Sequence, residues 1–213
     1  EGEQVNIYGN HVGSWNFAAT AYLNQWKVKI YYEHYFDDHS QMFFQYGRWK
    51  DGHIGLEITF PKNRFIDTFV YEGLGTKDQT GPMLYDSFWG KFEEQISAKD
   101  NYYNHYLYQG WQHWGMGIGN PLLPGPIYNK NGQITFISNR VLAHHIGFCG
   151  SPCQSLSYRM LLSYSRHWGT YDNPLNEIKK QFNSLFEVTY APQQLTGWSF
   201  TVSGAMDRGS MLG

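Results

Sequence analysis

The chain has 213 residues, with 16 Lys and Arg against 18 Asp and Glu; only 16% of it is charged, while 18% is aromatic and 23 residues are glycine. Average soluble domains carry about 25% charged residues and about 7% glycine, so a disordered, ring-poor tail is excluded, and a near-neutral chain without a run of Lys and Arg lacks the footprint of a nucleic-acid binder. No apolar run approaches the roughly 20 residues of a spanning helix, but a β-barrel crosses a bilayer on alternating strands with only a weak hydropathy signal.

The chain opens at Glu1 without a signal sequence and stops at Gly213 within a strand-rich stretch, as a processed or truncated chain would. From the start the dominant period is two. Between Gly13 and Leu23 one face reads Trp15, Phe17, Ala19, Ala21, Leu23 and the other Asn16, Ala18, Thr20, Tyr22. After Asn24 and Gln25, Trp26, Val28, Ile30 and Tyr32 alternate with Lys27, Lys29, Tyr31 and Glu33, which predicts a hairpin. Asp51-Gly52 offers turn chemistry, and Ile54, Leu56, Ile58 and Phe60 continue the alternation against Gly55, Glu57 and Thr59.

Residues 75–100 read as a long polar loop. The stretch 101–114, Asn-Tyr-Tyr-Asn-His-Tyr-Leu-Tyr-Gln-Gly-Trp-Gln-His-Trp, interleaves rings with amides and imidazoles. Flat rings stack on the apolar faces of sugars while neighbouring amides satisfy hydroxyls. Tyr102, Tyr103, His105, Trp111, His113 and Trp114 are therefore candidate glycan-binding residues; the other reading is a strand with interfacial aromatics and a polar network. A Gly/Pro-rich loop follows at 115–130. Its Gly115-Met-Gly117-Ile-Gly119 lacks the helix that would hold a phosphate.

Asn131-Gly132 is a second turn signal. Cys149 and Cys153 flank Gly-Ser-Pro, where either a disulfide across a turn or two free thiols would fit. Tyr158, Met160, Leu162 and Tyr164 alternate with Ser157, Arg159, Leu161 and Ser163. Residues 172–181 predict a short helix, with Asn173 as cap, Pro174 at its first position and Leu175, Ile178 and Phe182 sharing a face. Phe186, Val188, Tyr190 and then Trp198, Phe200, Val202 complete the alternating set. No repeat or linker divides the chain, so residues 1–213 form one domain.

Alternation alone admits a soluble sandwich or a lipid-facing barrel. Trp15, Trp26 and Trp198 near strand ends favour an antiparallel barrel with loop and short-helix insertions. Lys27, Lys29, Glu33, Glu57, Arg159 and Glu187 would then point inward. One feature runs against it, because the loops at 75–100 and 115–130 fall at opposite ends if residues 101–114 form a strand. Nine histidines form no ligand pattern, and His144 and His145 point to opposite faces of a strand. Glu33, Glu57, Glu72, Glu187 and Asp207 could serve a glycosidase, although no spacing pairs them. No catalytic residue, metal or cofactor is expected.

Tyr31-Tyr-Glu-His-Tyr-Phe-Asp-Asp-His-Ser40, Trp49-Lys-Asp-Gly52, Thr76-Lys-Asp-Gln-Thr-Gly-Pro82, Asn101-Tyr-Tyr-Asn-His105, Gly110-Trp-Gln-His-Trp-Gly115, Gly119-Asn-Pro-Leu-Leu123, Asn139-Arg-Val-Leu-Ala-His-His-Ile-Gly147 and Tyr164-Ser-Arg-His-Trp-Gly-Thr-Tyr171 together resemble the Wzi-like capsule assembly proteins in their Bacteroides-type form. The resemblance implies a bacterial outer-membrane β-barrel, partly occluded by loops and helices and surrounded by outer-membrane lipid. It also implies a non-enzymatic, lectin-like role that holds capsular or other surface polysaccharide. Because family members are longer, it implies that this chain is a C-terminal portion of a larger barrel. The alternatives are a soluble secreted or periplasmic carbohydrate-active domain, such as a glycosidase, and a porin.

Overall fold

A computed structural model describes residues 13–36, 51–63, 65–79, 101–104 and 111–211. The protein is all-β. Its elements are β1 (Gly13–Leu23), β2 (Trp26–Phe36), β3 (Gly52–Thr59), β4 (Thr68–Gly75), β5 (Gln112–His113), β6 (Met116–Gly117), a 3-10 turn at Pro126–Tyr128, β7 (Val141–Cys153), β8 (Leu156–Gly169), β9 (Pro174–Tyr190) and β10 (Phe200–Gly209). Eight strands form one antiparallel sheet in the order β1-β2-β3-β4-β7-β8-β9-β10, while β5 and β6 make a separate two-stranded hairpin. The large sheet has two edges, β1 and β10, and is open.

Cross-strand partners share a face, so the register fixes which side chains lie together. Val28 faces Ile58, Ile58 faces Phe69, Phe69 faces Phe148, Phe148 faces Met160 and Met160 faces Phe186. One step along the strands, Ala19, Ile30, Leu56, Tyr71, Ile146, Leu162, Ser184 and Met206 form the adjoining row. The apolar faces read from separate strands are thus one belt across the whole sheet. Much of it is open to the surroundings, including Phe17, Ile30, Ile54, Phe186 and Val202.

The second face is polar. Its rows include Asn16, Glu33 and His53, then Tyr31, Gly55, Glu72, His145, Ser163, Asn183 and Asp207. At one end this face is covered by the segment between β4 and β7. Leu74, Val141 and Ala143 from the sheet pack with Leu123 and Phe136 from that segment, and Tyr35, Tyr103 and Leu122 flank them. The buried core therefore sits on the polar face, and the belt has no layer packed over it among the described residues.

Several expectations are corrected. The 172–181 stretch is strand: β9 begins at Pro174 and pairs with β8 to its far end. Pro174 caps nothing; it lies opposite Gly169 at the first strand position, where its missing N–H costs no ladder bond. Cys149 and Cys153 are both free, because β7 runs through Gly-Ser-Pro with a bulge and turns only at Gln154 and Ser155. Extended backbone, at about 3.3 Å per residue, spaces positions four apart well beyond the roughly 7 Å limit of a disulfide. Asp51-Gly52 is not a hairpin tip but the entry to β3. The Asn24-Gln25 hairpin is present, with Asn24 at φ 56°.

The described part of 101–114 is no strand of the main sheet, and β7 is the neighbour of β4 there. β4 consequently ends and β7 begins at one end of the sheet, where β2 also ends, β3 begins and 170–173 turns; most of the 75–100 loop lies outside the described residues. Turns 24–25, 60–67, 154–155 and 191–199 occupy the other end.

Phe136, 1% exposed, is the ring on which the covering segment docks. Phe136→Ala is expected to cost the docked segment about 3–5 kcal/mol. Limited proteolysis should then cut within 101–140 while the β-sheet circular dichroism is retained.

Candidate functional site

The covering segment is fastened by a buried polar network. Asp51, 3% exposed, accepts the Asp78 amide at 2.8 Å through one carboxylate oxygen. Its other oxygen accepts the Gln79 amide and the Tyr102 hydroxyl, the latter at 2.8 Å. One carboxylate thereby joins the entry to β3, the exit from β4 and the 101–104 segment. Gln79 and Thr76 both donate to the Asn139 carbonyl, at 3.0 and 2.7 Å, and the Asn139 amide donates to the Tyr102 carbonyl at 2.9 Å. Asn104 completes the clasp with reciprocal bonds to the Phe136 backbone, each 2.8 Å.

These contacts divide the candidate glycan residues. Tyr102 is buried with its hydroxyl committed to Asp51, so it is a structural member of the clasp that also lines the cavity beneath the segment. Tyr103 is half-buried against Phe136, with ring centroids 5.2 Å apart, and receives the Asn120 amide at 3.4 Å. His105 lies outside the described residues. Trp111, His113 and Trp114 belong to the β5–β6 hairpin. Trp111 and Trp114 both adopt positive φ, 58° and 52°, a conformation that costs a non-glycine residue about 1–3 kcal/mol.

That strained hairpin is anchored from below. The Ile127 amide donates to the Gly115 carbonyl at 2.9 Å, Ile118 to the Trp111 carbonyl at 2.8 Å, and the Gln112 side chain to Ile134 at 2.9 Å. The result lifts Trp114 to 86% exposure, with the His113 ring 6.2 Å away. The hairpin tip thus presents a flat, exposed indole beside an exposed imidazole.

Beneath the segment lies a cavity of about 820 Å³ over the polar face, lined among others by Glu33, His53, Glu72, Tyr103, His145, Ser163 and Asn183. His53 bridges two carboxylates, with Nδ1 3.3 Å from Glu33 and Nε2 3.5 Å from Glu72, and Glu72 also accepts the Tyr31 hydroxyl. Tyr31 can lie there because its cross-strand partner is Gly55; a Cβ at that position would overlap the ring. His145 meets Ser163 at 2.7 Å and Asn183 donates to Asp207 at 2.6 Å. Lys27 pairs with Glu57 at 3.5 Å and Arg159 with Glu187 at 3.3 Å. The carboxylates considered for glycoside hydrolysis thus stand among bases and hydrogen-bond donors. Among the described residues no group of three His, Cys, Asp or Glu side chains could hold a metal ion. His53 was missed in the sequence, although its parity on β3 assigns it to the polar face; His144 and His145 do fall on opposite faces of β7, with His145 on the polar one.

Burial raises the Asp51 carboxyl from 3.8 to about 6, against the three donors, which pull it down. The folded chain then binds this proton more tightly than the unfolded chain. The stability it contributes is full below the ordinary value and is lost as pH rises through about 6, at most roughly 3 kcal/mol. The unfolding temperature measured from pH 4 to 7 should contain this falling component in the parent and lack it in Asp51→Asn; identical profiles would contradict the assignment.

Compared with protein-family models, with curated proteins and with solved structures, the chain matches none of them.

Proposed function

We propose that the chain is part of an outer-membrane β-barrel that holds a surface polysaccharide without cutting it, as its resemblance to the Wzi-like capsule assembly proteins implies. The observation that carries the membrane half of this reading is the belt, one apolar face kept in register across eight strands. A soluble sandwich buries such a face against a second sheet, whereas a barrel turns it to lipid. Nine residues of β8 and nine of β9, from Leu156 to Tyr164 and from Phe182 to Tyr190, carry the belt. That matches the roughly 9–11 residues a tilted strand needs to cross a bilayer. The two longest stretches between consecutive strands of the sheet, 37–51 and 76–140, both leave from one end, in keeping with the outer-membrane pattern of long loops on one side.

The binding half rests on the hairpin tip. Trp114 is held out at the long-loop end, the end that outer-membrane barrels direct away from the cell. An indole stacks on a pyranose ring while His113 and nearby amides take its hydroxyls. A holding role, rather than a cutting one, is supported by Glu33, Glu57, Glu72 and Glu187, each occupied by a neighbouring base.

In a pull-down on immobilised polysaccharide from the source surface, the detergent-solubilised full chain should be retained. Trp114→Ala should lose about tenfold in affinity, the scale of one well-made aromatic contact. Tyr102→Phe should bind as the parent does. Equal retention of parent and Trp114→Ala would show the indole to be no part of a glycan surface.

A further inference from the structure

The belt carries cations near the long-loop rim of three neighbouring strands, with Trp168 and Ile178 beyond them on the same side. On β8 the belt side runs Leu156, Tyr158, Met160, Leu162, Tyr164 and then Arg166. On β9 it runs from Tyr190 through Phe182 to Lys180, and on β10 from Phe200 through Met206 to Arg208. Arg166 and Lys180 are direct cross-strand partners, and Arg208 stands opposite Phe182 one step away. Like charges directly opposite on antiparallel strands are destabilising, so this arrangement carries a cost that an anion would remove.

Two further cations reach the same rim. Arg140 lies over the Tyr171 ring at 3.9 Å; Lys77 and Arg166 lie over Trp168 at 4.7 and 5.4 Å. Among the described residues none of these five cations forms an ion pair with a carboxylate, whereas Lys27 and Arg159 on the polar face pair with Glu57 and Glu187. Asp172 and Glu177 lie at the same end of the sheet and form no ion pair with them among the described residues.

We infer that the Arg166, Lys180 and Arg208 rim, extended by Arg140 and Lys77, binds the phosphate groups of an anionic lipid headgroup where the belt leaves the hydrocarbon. Arginine forks match phosphate oxygens two bonds at a time. Trp168 and Tyr171 are rings of the kind that sit at headgroup level. The inference rests on the lipid-facing reading of the belt and adds a specific lipid chemistry to it.

The test uses the full chain and its Arg166→Gln/Lys180→Gln/Arg208→Gln variant, with flotation on phosphatidylcholine vesicles and on the same vesicles containing diphosphoryl lipid A. Both proteins should float with plain vesicles. The parent should bind the lipid A vesicles at least about tenfold more tightly than the variant, in a salt-sensitive manner, and millimolar inorganic phosphate should not displace it. Should the triple variant not fold, Lys180→Gln alone, at an exposed side chain, should still weaken lipid A binding about threefold. Equal affinity of parent and folded variants overturns the lipid site and leaves the membrane reading standing. Displacement by inorganic phosphate overturns lipid as the ligand, and a parent that floats with neither vesicle overturns both.

Discussion

The structure depends on one constraint: every strand of the large sheet must keep the same parity of register. Side chains alternate faces along a strand, so a slip of one residue would send the whole apolar set of that strand to the polar side. The pairing of Ile30 with Leu56 and of Lys29 with Glu57 shows both faces kept at once. The belt and the polar rows follow from this parity, and so does the place of the core. Leu74, Val141 and Ala143 belong to the polar parity, so the described part of the 101–140 segment covers that face, and among the described residues the belt is left bare.

Covering a polar face with a loop is costly unless its buried groups find partners. Asp51, Gln79, Asn139 and Asn104 supply them by binding backbone amides and carbonyls from chain segments far apart in sequence. The clasp in turn frees the outer part of the segment from packing duty. Its hairpin can hold Trp111 and Trp114 in an unfavourable backbone conformation because Ile127, Ile118 and Gln112 pin it from beneath. An exposed indole is therefore a product of the same docking that buries Tyr102.

The hairpin of β1 and β2 was legible because the alternation there is strict and both turn residues are polar. The face of β3 and that of β8 were legible for the same reason. Their union into one belt was not, since it rests on β4 and β7, whose Gly73, Gly147 and paired histidines blur the period. Asn173-Pro174 misled because a proline at a strand's first residue looks locally like one at a helix's first residue; pairing with β8 decided between them. The 101–114 stretch misled more. Its aromatic and amide content suits both a sugar surface and a buried network, and burial splits it between Trp114 and Tyr102. Composition has no access to that division, which is set by a single acceptor, Asp51, some fifty residues earlier in the chain.

The central claim, that the belt meets lipid, is tested most directly by nitroxide labels placed one at a time on residues 26–33 of β2, with Cys149 and Cys153 replaced by serine and the protein in vesicles. Oxygen, which concentrates in hydrocarbon, should relax labels at Val28, Ile30 and Tyr32 strongly, while a water-soluble nickel chelate should act on Lys27, Lys29, Tyr31 and Glu33. A period of two in this order is the predicted result. Equal access of the nickel chelate to both sets would contradict it and place the belt in water, and protection of the Val28, Ile30 and Tyr32 set from both reagents would contradict it and return the belt to a protein core.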